Sequence, residues 1–149
     1  MHELSAIGIF STLKEDDRDL LASYGEFQPV AEGAVLIEEG QLQPYLYCIL
    51  SGQLRVVRFN ESDAFVIATL FPGESIGEMA IFDLSPASAT VQATQFTHVW
   101  RIAYEQFMAF VTDNPVTGVQ ILTSLLITLS RRMKQIDPLT SPGVAQKIE

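Results

Sequence analysis

Between residues 26 and 102 the chain breaks into short runs of β-forming residues, and no other feature restricts its fold so tightly. The runs cover 27–30, 34–37, 45–50, 54–59, 65–70, 88–94 and 98–102. Gly33, Glu39-Gly40, Ser51-Gly52, the stretch 60–63 and Pro72-Gly73 punctuate them. Short strands at this spacing predict a β-barrel or a double-sheet jelly roll. Alternation in Leu54-Arg55-Val56-Val57-Arg58 is imperfect, which leaves the facing of that strand open.

Helical patterns flank the β region. Thr12-Leu13-Lys14-Glu15 matches a capping box, Leu13, Leu20 and Leu21 form an apolar stripe behind it, and Gly25 is a stop signal. After Arg101 the period changes again. Residues 104–112 read as a short helix, and Asp113-Asn114-Pro115 opens a longer one with a cap and a first-turn proline. Along that helix Val119, Leu122, Leu126, Leu129, Met133 and Ile136 follow a heptad-like spacing, while Ile121 and Leu125 form a second apolar face. Two arrangements satisfy this pattern: one stripe on the barrel and the other on a partner subunit, or a helix buried on both sides. The reading is one domain over 1–136 and a loose tail over 137–149, which holds two prolines and a glycine.

Composition narrows the function classes. With 149 residues, 48% hydrophobic and 18% charged, the chain has material for one compact domain. A formal charge of −9 with nine Lys and Arg opposes direct nucleic-acid binding, although a local basic pocket for a small phosphate is compatible with it. The single cysteine, Cys48, lies in an apolar run and reads as a buried structural thiol. No basic-then-apolar leader or run of about 20 apolar residues is visible, so a soluble cytoplasmic protein is expected, with no membrane partner. An enzyme is not expected. His98 alone lies in the β region, too few histidines for a metal-binding jelly roll or for any triad but one built on that residue.

The most specific motif runs from Phe71 to Val91: Phe-Pro-Gly-Glu-Ser-Ile-Gly-Glu-Met-Ala-Ile-Phe-Asp-Leu-Ser-Pro-Ala-Ser-Ala-Thr-Val. It resembles the phosphate-binding cassette of cyclic nucleotide-binding domains, which reads roughly Gly-Glu-hydrophobic-Ala, a short loop, then Pro-Arg-(Ser/Ala)-Ala-Thr-Val. The likeness extends to Gly33, Val35-Leu36-Ile37, Glu39-Gly40 and the segment Tyr45-Leu46-Tyr47-Cys48-Ile49-Leu50-Ser51-Gly52-Gln53-Leu54-Arg55-Val56, and spans about residues 10–136. The resemblance implies a mainly β fold with flanking helices: a double-stranded β-helix, or jelly-roll-like β-roll, with a short N-terminal and a long C-terminal helix.

It also implies a ligand site at Ile76, Gly77, Glu78, Met79, Ala80, Pro86, Ala87, Ser88 and Ala89. Gly77 would let ligand and backbone approach closely, and Glu78 would accept from a ribose 2′-hydroxyl. Met79, Ala80 and Ile81 would open a short helix whose N–H groups face the phosphate, and Ser88 would offer a hydroxyl and an N–H. Arg132 is a candidate base contact, set against a solvated basic helix end formed by Arg131, Arg132 and Lys134. The departure is Ala87, which stands where the family has its arginine. A charge-assisted hydrogen bond contributes about 1.5–3 kcal/mol, so its loss weakens anion binding and leaves Glu78 uncompensated. Arg55, Arg58 and Arg101 lie in strands from which one could replace it.

The expectation is a regulatory module that signals through an effector chain, holds cAMP or cGMP weakly or not at all, and dimerises through its long helix. Too few residues follow that helix for a recognition helix of its own. The alternative is a ligand-free dimerisation or interaction module on the same fold.

Overall fold

The computed structural model describes residues 2–135 and 146–147. A 3-10 turn at Gly8–Phe10 and helix α1 (Glu15–Ala22) lead into strands β1 (Glu26–Val30), β2 (Val35–Ile37), β3 (Tyr45–Ser51), β4 (Leu54–Asn60), β5 (Asp63–Leu70) and β6 (Ser75–Ile76). Helix α2 (Met79–Phe82) follows, then β7 (Thr90–Ala93), β8 (Thr97–Ala103), α3 (Tyr104–Asp113), α4 (Pro115–Gln135) and β9 (Gln146–Lys147). One sheet runs β1-β8-β3-β6 and the other β2-β7-β4-β5-β9, with antiparallel pairing throughout. This is the expected β-roll, mainly β with helices at both ends.

The two sheets enclose one apolar layer, in which Val30, Ile49, Leu54, Val91 and Val99 meet. A second layer fills the space between the outer face of the first sheet and the helices. Leu46, Cys48, Trp100 and Ile102 pack there against Leu21, Phe107, Phe110, Ile121 and Leu125. Successive residues of a strand point to opposite faces, so β3 sends Leu46 and Cys48 to the helices and Tyr47 and Ile49 into the roll. Burial on both faces is why residues 45–50 read as a continuous apolar run rather than an alternation.

The broken alternation of β4 has a similarly local cause. Leu54 and the half-buried Val56 pack in the layer between the sheets, and Val57, of opposite parity, is buried as well, so the strand is covered on both faces there; the register shift against β5 leaves its extra residue, Ile67, on β5. Two strands fall outside the predicted set. β6 is two residues long and sits inside a turn-rich stretch, and β9, within the segment read as a tail, pairs with Phe65 and Val66 of β5. The rest of 136–149 lies outside the described residues.

Two helix caps differ from the sequence pattern. The residue preceding α1 is Lys14, which makes no side-chain cap, while the Thr12 hydroxyl lies 3.5 Å from Ser124 Oγ. Leu13 is buried ahead of the helix, and that packing moves the start past the capping box. Leu20 faces solvent, so only Leu21 of the helical leucines enters the core. The helix ends at Ala22, before Gly25. Asn114 serves both helices: its Nδ2 donates to the Phe110 carbonyl at 3.2 Å at the end of α3, while its own carbonyl accepts the Gly118 N–H at 2.7 Å and opens α4, so the cap comes from its backbone and not its side chain.

Along α4, Ile121 and Leu125 are buried, whereas Val119, Leu126 and Met133 are exposed and Leu122 and Leu129 are half-buried. The helix thus packs mainly through its second apolar face, with Leu122 of the seam against the same core, and turns Val119, Leu126 and Met133 outward. Ile136, the last seam position, lies outside the described residues.

Candidate functional site

The end of β6, helix α2 and the loop before β7 wrap a cavity of about 300 Å³. Ile76, Gly77, Glu78, Met79, Ala80, Pro86, Ala87, Ser88 and Ala89, all expected site residues, line it, and so does Arg132 of α4. Its volume suits a small molecule. The loop is pinned from the side by the turn after β2. The Gly40 N–H donates to the Ala87 carbonyl at 2.8 Å, the Ala87 N–H to the Gln41 carbonyl at 2.9 Å, and Leu42 bridges Pro86. Glu39 N–H donates to Thr90 Oγ1 at 3.1 Å.

Five further lining residues were not among those expected: Ile37, Gln43, Val56, Ser85 and Val91. Three of them form one cross-strand row, Ile37 opposite Val91 and Val91 opposite Val56. Alternation marks such residues as inward-facing, but only the register of three separate strands aligns them under the cassette. Gln43 Oε1 accepts from the Tyr45 N–H at 2.6 Å, which holds the strand entry against the cavity wall.

Gly77 has a structural role distinct from the one expected. Its φ is +80°, and a Cβ there would lie 2.4 Å from both the Tyr45 carbonyl oxygen and Gln43 Nε2. The close approach that requires glycine is therefore between two segments of the chain. Helix α2 is also a single turn. The N–H groups of Ala80 and Ile81 are taken by the Gly77 and Glu78 carbonyls, so they do not face the cavity as free donors.

The electrostatics also depart from expectation. Glu78, whose side chain is 5% exposed, is compensated: Arg132 Nη1 donates to its Oε1 at 2.5 Å. Ser75 Oγ donates to the same oxygen at 2.8 Å, and Arg132 Nη2 donates to the Ser75 carbonyl. Arg132 is thus engaged with the cassette rather than being a solvated helix end, and among the described residues it is the one basic side chain lining the cavity.

The three strand arginines are engaged elsewhere. Arg55 bonds Gln92 Oε1 through Nε at 3.1 Å and Nη2 at 2.8 Å. Arg101 lies 4.0 Å from the centre of the Tyr45 ring and pairs with Glu26 at 3.2 Å. Arg58 Nε donates to the Ser88 carbonyl at 3.2 Å, against the outside of the cassette. None of the three lines the cavity. Among the described residues no cluster of His, Cys, Asp and Glu could hold a metal, and no helix is long and apolar enough to cross a membrane.

The family model described as "Cyclic nucleotide-binding domain" matches residues 27–114, from β1 through the cassette to the end of α3. The chain belongs to the cyclic nucleotide-binding domain family. A cyclic AMP receptor protein from Thermus thermophilus is 28% identical over 130 residues, covering 87% of this chain and 58% of that protein. The crystal structure of Thermus thermophilus catabolite activator protein superposes with a TM-score of 0.76 at 27% identity, over 88% of this chain and 59% of that one. A cyclic nucleotide-binding domain from Methylobacillus flagellatus gives a TM-score of 0.78 at 26% identity, over 87% of this chain and 73% of that one. The chain therefore spans little more than half the length of the receptor it matches. Cyclic nucleotide-binding domains are regulatory, not catalytic, and all the lining residues of the cavity except Arg132 lie within the matched stretch.

Proposed function

We propose that this domain is a sensor module whose cassette cavity admits a small ligand, that it holds cAMP and cGMP weakly, and that it acts on an effector chain as a homodimer joined through α4. The observation that carries the reading is the charge of the cavity. Ala87 replaces the arginine, and the one lining cation, Arg132, is already committed to Glu78. A cyclic phosphate is an anion, and burying it without a free positive charge forfeits a charge-assisted bond. Related proteins named for cyclic AMP support the ligand class, and the cavity supports entry of a ligand at all. An outward seam of Val119, Leu126 and Met133 supports assembly through the long helix. Ligand would then act by shifting the position of α4 relative to its partner, through its different affinity for the two states.

A second reading, a ligand-free dimerisation module, draws on the same exposed seam and on the closed Glu78–Arg132 pair. Titration calorimetry of cAMP and cGMP into nucleotide-free protein separates the two. Weak binding, with a dissociation constant above about 1 µM, supports the sensor reading. Sub-micromolar affinity overturns the claim of weakened binding, and no heat at any attainable concentration favours the ligand-free module.

A further inference from the structure

The pair Glu78–Arg132 ties the C-terminal half of α4 to the cassette, together with the bond from Arg132 to the Ser75 carbonyl. Beyond Leu125 no described residue of α4 is buried. From residues 126–135, among those described, the side-chain hydrogen bonds to the rest of the fold come from Arg132, to Glu78 and to the Ser75 carbonyl. The Arg132 side chain is 37% exposed, near the end of a helix whose last buried residue lies two turns earlier, so it has room to swing. Glu78 is the opposite: nearly sealed, held by Ser75, and placed at the N-cap of a one-turn helix.

We infer that Arg132 is the anion receptor of this cavity, supplied from α4 in place of the cassette arginine, and that Glu78 sequesters it while the site is empty. The inference rests on the reading that ligand enters the cassette. An arriving anion meets a pair of zero net charge and gains a strong bond only by drawing Arg132 away from Glu78. That exchange breaks the direct bond between α4 and the cassette and hands Arg132 to the ligand, so ligand occupancy and repositioning of the second half of α4 are one event at one side chain. Weak affinity and coupling to the helix then have the same cause.

The decisive variant is Glu78→Gln, close to isosteric and able to keep the Ser75 contact. If Glu78 serves a ribose hydroxyl, its loss lowers cAMP affinity. If it sequesters Arg132, its loss raises that affinity, by about tenfold or more for a freed charge-assisted bond. The double variant Glu78→Gln/Arg132→Gln keeps the site neutral and is expected to lose this gain. Hydrogen exchange reads the tether independently: amides over 126–135 exchange faster in Glu78→Gln than in the parent, while those over 117–125 do not. Unchanged, reduced or undetectable cAMP binding by Glu78→Gln overturns the inference, as does a double variant that binds as tightly as the single one. Sub-micromolar binding by the parent would sink the weak-binding reading alone, because the direction of the Glu78→Gln change still decides this one.

Discussion

Leu125 and Leu126 are adjacent in sequence and opposite in fate: the first is fully buried at 0% exposure, the second is 61% exposed. A helix turns by about 100° per residue, so neighbours can look in opposite directions. Here one looks into the layer between sheet and helices, and the other along the outward seam.

That contrast makes a paired test of the seam. Leu126→Glu is expected to leave the secondary structure intact and convert a dimer at tens of micromolar, measured by light scattering, into a monomer. Leu125→Ala removes a core contact and is expected to lower unfolding stability by about 2–5 kcal/mol in urea. A mass unchanged by Leu126→Glu counts against assembly through this face.

Restoring the missing charge should strengthen anion binding. Ala87→Arg places a guanidinium on the loop that already lines the cavity, and cAMP affinity by calorimetry is expected to rise by about one to two decades. A folded variant with unchanged affinity would show that the absent arginine does not limit binding.

Gly77 tests the structural reading of the cassette. Alanine at a φ of +80° meets both backbone strain and the Tyr45 carbonyl, so Gly77→Ala is expected to cost about 2 kcal/mol or more in unfolding free energy, without any ligand present. A variant as stable as the parent would return the glycine to a purely ligand-related role.

Cys48 sets the alkaline limit. Burial, with the nearby Glu78 charge second, pushes its pKa well above the ordinary value of 9.0. The unfolded chain ionises this thiol first. Its contribution is therefore complete below about pH 9 and is lost as the pH rises toward the folded-state value. Tyr47, raised mainly by burial, adds the same sign at higher pH. Urea midpoints are expected to hold steady through neutral pH and fall above about pH 9, with a shallower fall in Cys48→Ala. A thiol reagent should react slowly with the native protein and fully in denaturant; rapid native labelling would contradict the burial.

Much of the fold was legible because it is written in local patterns. Turn residues separate the strands, the apolar run at 45–50 marks the strand buried on both faces, and Pro115 starts the long helix. The nine expected cassette residues line one cavity because they are nearly contiguous and share one loop and one short helix. What misled was equally local. Thr12 carries capping chemistry that packing assigned elsewhere, because the buried Leu13 moves the start of α1, and the Asn114 side-chain amide serves the end of α3 while its backbone opens α4. Strands of two residues, such as β6, are too short to leave a periodic signal.

The sequence by itself determined the order of the longer strands and helices, the family, and the stretch whose residues line the cavity, all of which rest on neighbouring residues and their spacing. Only the tertiary structure decided the charge of that site. Arg132 meets Glu78 across 54 positions of chain, because the crossing of α4 over the end of β6 brings them together. It also decided which stripe of α4 faces the core, and that Gly77 yields to the Tyr45 backbone. Contacts of this kind depend on strand register and helix crossing, which emerge from packing the whole domain and leave no periodic trace in the residues that make them.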